Sequence, residues 1–163
     1  MDLRPGQVVE FDVHGGALPR GRTVLLDVAP WLALGVHAKH QDLRAALRTV
    51  LDARPDVLNH NTETVSRLYR MARSGGRYSR TLELLQRSRR YAPEIPTKTG
   101  LMLGLGETEA EIRTTLADIA AHGCRLLTIG QYLAPSAEHL PVARWVTPEE
   151  FDAWAAVARA LGF

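Results

Sequence analysis

The sequence predicts an α/β fold with parallel strands, and three observations support that prediction. Short apolar runs alternate along the chain with segments whose apolar residues repeat at helical spacing. The connections between these segments are short, as they are in α/β units. Polar residues or glycines follow the apolar runs, and the carboxyl ends of parallel strands are where such folds bind ligands. The three strands that the sequence predicts are too few for a closed eight-stranded barrel, so we expect a partial barrel.

Length and composition are those of one ordinary domain. The chain has 163 residues, of which 45% are hydrophobic, and a formal net charge of +2, so it can bury a core. Arginines cluster around Arg80–Arg90, but aromatic residues are scarce and no basic stripe repeats, which argues against nucleic acid as a partner. No apolar run reaches the length of a membrane span, and residues 1–13 lack the apolar region of a signal peptide. The single cysteine, Cys124, excludes a disulfide framework and suits a reducing compartment, so we predict a cytoplasmic protein.

Residues 1–42 show the weakest secondary-structure pattern of the chain, and we assign them neither a domain nor a function. Gln7–Val13 alternates weakly and is a possible strand, and Arg22–Val28 is a short apolar run. Histidines without a second-shell carboxylate pattern are more often scattered surface residues than a metal site. This segment contains three such histidines, His14, His37 and His40.

From Gln41 onward, helices and strands alternate clearly. Apolar residues at helical spacing predict helices over Asp42–Ala53, Thr62–Ala72, Thr81–Tyr91, Glu109–His122 and Phe151–Leu161. Short apolar runs predict strands over Asp56–Asn59, Gly100–Leu103 and Arg125–Gly130. Gly123 is at the left-handed position that stops a helix, and Thr147 caps the last helix, with Pro148 at its first position.

The stretch Thr97–Ile112 joins the central strand to a helix through a glycine loop. Acidic residues follow the loop in the first turn of the helix, where the helix dipole favours them. Such a loop leaves backbone N–H groups pointing outward, which suits a nucleotide or another polar small molecule. Taken alone, the stretch fits an ordinary strand-to-helix turn with a helix-capping Glu better. Its spacing also fits G-x-I-x-G-x-x-E, with Met in place of Ile, through Gly100, Met102, Gly104 and Glu107.

Residues 43–163 resemble lipoyl synthase, a family of radical S-adenosylmethionine enzymes. The resemblance rests on an ordered series of motifs. These are Ala53-Arg54-Pro55-Asp56-Val57, Asn59-His60-Asn61-x-Glu63-Thr64-Val65, Gly104-Leu105-Gly106-Glu107-Thr108, Leu127-Thr128-Ile129-Gly130-Gln131-Tyr132-Leu133 and His139-Leu140-Pro141-Val142. Departures within the block are mild, with threonines where the family has other residues at Thr62, Thr81 and Thr99.

The resemblance implies a fold, a reaction and a partner. The fold would be roughly the C-terminal half of the partial (βα) barrel of radical S-adenosylmethionine enzymes, with parallel strands. The family is a sulfurtransferase of lipoate biosynthesis, which inserts sulfur at C6 and C8 of an octanoyl chain on a lipoyl-carrier domain. One [4Fe–4S] cluster cleaves S-adenosylmethionine to a 5′-deoxyadenosyl radical, and a second donates the sulfur.

The resemblance also implies which residues bind S-adenosylmethionine, and it assigns no catalytic or metal-binding residue. Gly100, Met102, Gly104 and Glu107 would support the adenosine, because the glycine pattern lies on the fifth strand of the family barrel. Asn59, His60 and Asn61 would face cofactor and substrate, and the alternative is a strand-end turn with an Asn cap. Gln131 and Tyr132 would lie beside the adenine. The equally weighted alternative is that they pack in the core, with the one hydroxyl hydrogen-bonded.

The cysteine content departs from the family. The radical cluster needs C-x-x-x-C-x-x-C, and the auxiliary cluster needs a further cysteine triad and a serine in an Arg-Ser-Ser-Tyr segment. One cysteine cannot hold a [4Fe–4S] cluster, and Cys124 is expected to be a small buried residue. We therefore expect a fragment that is inactive alone. Two alternatives are a non-catalytic half-barrel that binds S-adenosylmethionine or another adenosine ligand, and an inert truncated product that self-associates through unpaired barrel edges.

Overall fold

The computed structural model describes residues 25–27 and 40–163. The possible strand at Gln7–Val13 and the histidines His14 and His37 lie outside these residues. The strands are β1 (Leu25–Asp27), β2 (Val57–Asn59), β3 (Thr97–Leu103) and β4 (Leu126–Gln131). The helices are α1 (His40–Asp52), α2 (Tyr69–Ala72), α3 (Tyr78–Tyr91), α4 (Glu109–Ala121) and α5 (Pro148–Ala160), and a 3₁₀ turn, Ser66–Leu68, leads into α2.

The strands form one four-stranded parallel sheet in the order β1-β2-β3-β4. The predicted parallel α/β fold is therefore confirmed. Each strand reaches the next through a helical crossover, so all four carboxyl ends meet at one edge, which we name the carboxyl edge. The sequence predicted three of these strands. The fourth, β1, lies within the apolar run Arg22–Val28 and pairs Leu26 with Leu58.

The sheet has one covered face and one open face. Along β3, the side chains of Thr97, Thr99, Leu101 and Leu103 are buried, and the residues between them are only partly buried. Because successive strand residues point to opposite faces, the buried set faces the helices, where Leu101 and Leu103 share a cluster with Ile112 of α4. We name the opposite side the open face. By strand alternation and register it carries Asn59, Lys98, Gly100, Met102, Leu126, Thr128 and Gly130.

One predicted helix begins later than the pattern indicated. The segment predicted as a helix from Thr62 starts helically at Ser66. The amide of Thr62 donates to the Gly100 carbonyl at 3.0 Å, and the amide of Met102 donates to the Glu63 carbonyl at 2.7 Å. Glu63 has a φ of +70°, so the chain there pairs with β3 before it turns into the helix. Pairing with the neighbouring strand overrides the local helical pattern.

The helix ends follow the sequence closely. Thr147 caps α5 through the Glu150 amide, and Pro148 is the first helical residue, as predicted. Gly123 has a φ of +85° and ends α4 in the left-handed conformation. The cap of α4 is Thr108, which forms a reciprocal capping box with Glu111. The helix therefore has a capping Glu, as the alternative interpretation of this stretch expected, and that residue is Glu111.

Candidate cofactor-binding site

The residues predicted to bind a cofactor all lie at or near the carboxyl edge, but the structure divides them into three groups. One group lies on the open face, a second forms the glycine loop and its support, and a third faces the helices. These groups differ in how much hydrogen-bonding capacity they leave for a ligand. That difference decides which residues can recognise one.

Asn61 and Gly100 lie against each other on the open face. A Cβ atom added to Gly100 would come within 2.8 Å of the Asn61 Oδ1 atom, so glycine leaves the space in which this amide lies. Such a distance is below any ordinary carbon–oxygen contact, and a larger side chain would displace the amide. The Asn61 side chain thus packs over the backbone of β3 at Gly100, where the strand has no side chain of its own.

Asn59 and Met102 complete the open-face group. Among the described residues, the Asn59 Oδ1 atom is buried and has no hydrogen-bond partner. A buried polar atom without a partner is uncommon and costs free energy of about 1–3 kcal/mol. A ligand that brings a donor to this atom would remove that cost. Met102 pairs with Gly130 of β4, and its apolar, adaptable side chain is partly buried and also packs against the main core.

The glycine loop after β3 is organised by Glu107. This carboxylate is 7% exposed; its Oε1 accepts from the Gly104 amide at 2.6 Å, and its Oε2 accepts from the Leu105 amide at 2.9 Å. Gly104 has a φ of +103°, a conformation that favours glycine. The N–H groups of Gly104 and Leu105 are therefore held by Glu107, whereas the sequence predicted a loop whose N–H groups point outward to a ligand.

Gln131 ties the segment after β4 to the glycine loop. Its Nε2 donates to the carbonyls of Tyr132 at 3.0 Å and Arg144 at 3.3 Å, and its Oε1 accepts from the Val146 amide at 2.9 Å. A Cβ on Gly104 would lie 2.6 Å from the Arg144 carbonyl oxygen. Gly104 and Gln131 thus form a tightly packed joint whose hydrogen bonds are internal.

Tyr132 and His60 face the helices rather than the open face. Tyr132 is 7% exposed, belongs to the main hydrophobic core, and donates its hydroxyl to the Leu140 carbonyl at 2.8 Å. This arrangement matches the alternative of core packing with one satisfied hydroxyl. The His60 Nε2 atom lies 3.2 Å from the Thr81 hydroxyl. Burial lowers the pKa of His60 to about 3, and the charge of Arg73 adds to this effect, so the ring is neutral near pH 7.

Sequence reasoning missed Arg73 as part of this site. The residue follows α2, and its guanidinium donates to the backbone carbonyl of Asn61 at 2.8 Å and to the Tyr69 hydroxyl at 2.9 Å. Arginine is common on helix surfaces, so its position alone gives no signal. The signal that could have pointed to it is the dense run of polar aromatic and hydroxyl residues in the neighbouring helices, Tyr69, Tyr78 and Thr81.

The sequence model of the Radical SAM superfamily matches residues 20–119 of this chain. This range covers more than half of the sequence and includes all of the residues from Asn59 to Glu107. The chain belongs to the Radical SAM superfamily. The match begins at residue 20, so it also includes β1, which precedes Leu43, where the resemblance noted in the sequence began.

Lipoyl synthases are among the similar proteins. The lipoyl synthase of Methylococcus capsulatus is 55% identical over 135 residues, which are 80% of this chain and 42% of the relative. The lipoyl synthase of Syntrophotalea carbinolica is 56% identical over 119 residues, which are 73% of this chain and 38% of the relative. That of Vibrio parahaemolyticus is 56% identical over 118 residues, covering 72% and 37% of the two chains. The chain thus spans about two fifths of the length of these curated relatives.

Radical SAM enzymes use S-adenosylmethionine and a [4Fe–4S] cluster, and the described residues fit the first better than the second. The open face offers the amide side chains of Asn59 and Asn61 beside the bare strand at Gly100, and the Asn59 Oδ1 atom has no hydrogen-bond partner in the part of the chain that the structure describes. Amides of this kind donate to and accept from ribose hydroxyls and amino-acid groups. The arrangement therefore fits an adenosine ligand such as S-adenosylmethionine.

The thiol present does not fit an iron–sulfur cluster. Cys124 is fully buried, its Sγ donates to the Thr97 carbonyl at 3.2 Å, and burial raises the pKa of the thiol, which disfavours the thiolate that iron requires. It precedes β4, at the edge of the sheet opposite the amides. Within residues 44–163, no group of three or more His, Cys, Asp or Glu side chains is placed to hold a metal ion. The prediction of a small buried cysteine is confirmed.

The helices of the radical SAM domain include no candidate for a membrane span. Within the part of the chain that the structure describes, none is both long enough and apolar enough to cross a bilayer.

Proposed function

We propose that this chain supplies the S-adenosylmethionine-binding part of a lipoyl synthase. That enzyme inserts sulfur at C6 and C8 of an octanoyl chain on a lipoyl-carrier domain, which would be the partner. The observation that supports the proposal best is the open face at the carboxyl edge. There Asn59 and Asn61 present amides beside the bare strand at Gly100, in a chain that is 55% identical to a lipoyl synthase over 135 residues.

The chain's own residues would divide the work of binding. Asn59 and Asn61 would hydrogen-bond the ribose and methionine groups, and Met102 would pack against the apolar faces of the ligand. Glu107 would contribute indirectly, since it fixes the backbone of Gly104 and Leu105. Bound S-adenosylmethionine would supply the radical chemistry of the reaction.

The thiolates of the cluster would come from outside these 163 residues. The sequence has one cysteine, and its buried position and its distance along the strands from the amides argue against a role as ligand. We therefore expect that this chain alone neither assembles a [4Fe–4S] cluster nor forms lipoyl groups. A cytoplasmic location is part of the same proposal, because a single free thiol suits a reducing compartment.

A non-catalytic domain that binds adenosine ligands is the second candidate. Two observations favour it: the amides of Asn59 and Asn61 lie on the open face, and the single cysteine is buried away from them. An inert truncated product that self-associates is a third candidate, and the exposure of two apolar residues in the segment after β4 favours it: Leu133 is 63% exposed and Trp145 is 68% exposed. Iron distinguishes the candidates, since only a lipoyl synthase must gain a cluster when cysteine-bearing sequence is supplied.

Ligand titration tests the binding claim directly. S-adenosylhomocysteine, which retains the adenosine, is titrated calorimetrically into the 163-residue chain and into its Asn61→Ala variant. We expect saturable binding to the unmodified chain and about tenfold weaker binding to the variant, the size of one lost ligand hydrogen bond. Gln86→Ala, which removes an amide from α3, is the matched control and should leave affinity within about twofold.

Reconstitution tests the claim about the cluster. The chain is incubated anaerobically with iron and sulfide, and its iron content and its activity on an octanoylated carrier domain are measured. We expect neither a stoichiometric cluster nor lipoylated carrier. Absence of any binding of S-adenosylhomocysteine would contradict the first claim, and lipoylated carrier produced by the purified chain would contradict the second.

A further inference from the structure

A series of buried polar groups connects α3 to the open face. The His60 ring lies 3.2 Å from the Thr81 hydroxyl, which lies 2.6 Å from the Tyr69 hydroxyl. The Tyr69 hydroxyl in turn accepts from Arg73 at 2.9 Å. His60, Tyr69 and Thr81 are each no more than 3% exposed. These contacts join the end of β2, the short α2 and the first turn of α3 through side chains alone.

One direction in this series is fixed by chemistry. A guanidinium only donates, so the Tyr69 oxygen accepts from Arg73 at 2.9 Å. The Thr81 hydroxyl lies 2.6 Å from the same oxygen. The Tyr69 hydroxyl is therefore held between Thr81 and Arg73, and this contact restrains the orientation of the guanidinium.

Arg73 is held on further sides. Its guanidinium lies 5.9 Å from the centre of the Tyr69 ring, a cation–π distance. A Cβ on Gly76 would come within 2.9 Å of the aliphatic carbons of Arg73, so glycine leaves the room in which this side chain lies. The guanidinium nitrogen that donates to the Tyr69 hydroxyl also donates to the Asn61 backbone carbonyl, at 2.8 Å.

We propose that Arg73 is a positioning residue that sets the Asn61 amide on the open face. Holding the Asn61 carbonyl fixes the backbone from which the amide projects, and Gly100 leaves the space that receives the amide. The identity of the ligand that Asn61 meets rests on the proposed function. The placement of the amide by Arg73 rests on the described contacts and stands without it.

The test compares Arg73→Met with Arg70→Met, an equal loss of charge at an exposed arginine of α2. S-adenosylhomocysteine is titrated into both variants at a temperature where both are folded. Arg73→Met should weaken binding about tenfold and Arg70→Met less than about twofold. In a double-mutant cycle, Arg73→Met should weaken binding little further once Asn61 is Ala, because the two act through one amide. A general loss of structure would add to the Asn61→Ala effect instead.

A second measurement requires no ligand. The side-chain amide resonances of Asn61, assigned by their loss in Asn61→Ala, are compared in spectra of the two arginine variants. They should shift or broaden in Arg73→Met and remain unchanged in Arg70→Met. Unchanged Asn61 resonances in a folded Arg73→Met protein would overturn the positioning role. Altered resonances in a chain that binds no S-adenosylhomocysteine would support the positioning role and contradict the proposed function.

Discussion

The strand end after β2 and the glycine loop after β3 lie side by side, and they differ in what they leave for a ligand. In the loop, Glu107 accepts from Gly104 and Leu105, and Gln131 uses both ends of its amide on backbone groups. After β2, the Asn59 oxygen has no partner among the described residues, and the Asn61 amide lies over a bare glycine. The hydrogen bonds of Glu107 and Gln131 are therefore internal to the protein, and the asparagines are the groups with hydrogen-bonding capacity left for a ligand.

This contrast separates two kinds of glycine-rich motif. A glycine loop that cradles phosphates keeps its N–H groups free for the anion. Here a carboxylate from within the motif holds two of those groups, which places a negative charge where an anion would have to bind. The loop is thus suited to an apolar or uncharged part of a ligand. The motif formed by Gly100, Met102, Gly104 and Glu107 therefore sets the backbone conformation and does not supply free N–H groups for an anion.

Removing the Glu107 carboxylate should have the largest effect, because it breaks the loop. Glu107→Ala leaves the buried N–H groups of Gly104 and Leu105 without an acceptor, and we expect the free energy of unfolding to fall by about 2–4 kcal/mol. Urea denaturation measures this fall. Glu109→Ala, at an exposed position in the first turn of α4, is the control and should change stability by less than about 1 kcal/mol. Equal losses in the two variants would mean that the loop does not depend on Glu107.

Acid should destabilise the strand end through His60. The pKa of this ring is about 3 in the folded protein and near 6.5 when unfolded, so between these values the unfolded chain binds the extra proton. The free energy of unfolding therefore falls as pH decreases below 6.5, by about 2 kcal/mol between pH 7 and pH 5 from this residue alone. His60→Gln, which keeps a polar group near Thr81 and does not titrate, should lose less stability over the same range.

The comparison with His60→Gln isolates the histidine, because the other titrating groups are shared. Glu111, whose pKa is lowered to about 2 mainly by its hydrogen bond from Arg67, also loses its favourable contribution as pH falls, in both proteins. Urea denaturation at several pH values gives the difference between the two curves. Parallel curves would show that His60 is not held neutral by burial.

Strand and helix order could be predicted from the sequence, because it depends on local patterns. Apolar runs bounded by proline and glycine predicted β2, β3 and β4, and capping chemistry predicted the start of α5 at Thr147. The strand β1 lies in an apolar run bounded by Gly21 and Pro30, but the residues that follow show no clear periodicity, so the run could not be assigned from local pattern. The extended pairing of Thr62 and Glu63 with β3 depends on a neighbour distant in sequence, which local periodicity does not contain.

The sequence predicted where the candidate site residues lie in the fold better than it predicted which groups those residues contact. Polar residues after parallel strands predicted that these side chains gather at the carboxyl edge, and the structure places them there. Strand alternation could also have separated His60 from Asn59 and Asn61, since the histidine lies between them and must face the opposite side. The partners of Glu107 depend on the left-handed backbone of Gly104, and those of Gln131 on a segment that returns to the sheet. Neither follows from spacing alone.

The smallest expected effect comes from a methyl group at the point where the two regions meet. In Gly100→Ala the new Cβ would lie 2.8 Å from the Asn61 Oδ1 atom, whereas a Cβ at Gly130 on the neighbouring strand would meet no atom of the described residues within 4 Å. Alanine should stabilise a strand relative to glycine where it fits. We therefore expect Gly130→Ala to leave stability unchanged or slightly raised, and Gly100→Ala to lower it by about 1 kcal/mol. Urea denaturation of the two variants gives this difference, and its sign is the critical result: if Gly100→Ala were the more stable variant, the Asn61 amide would not lie over the bare strand, and the recognition surface inferred for the strand end would lose its support.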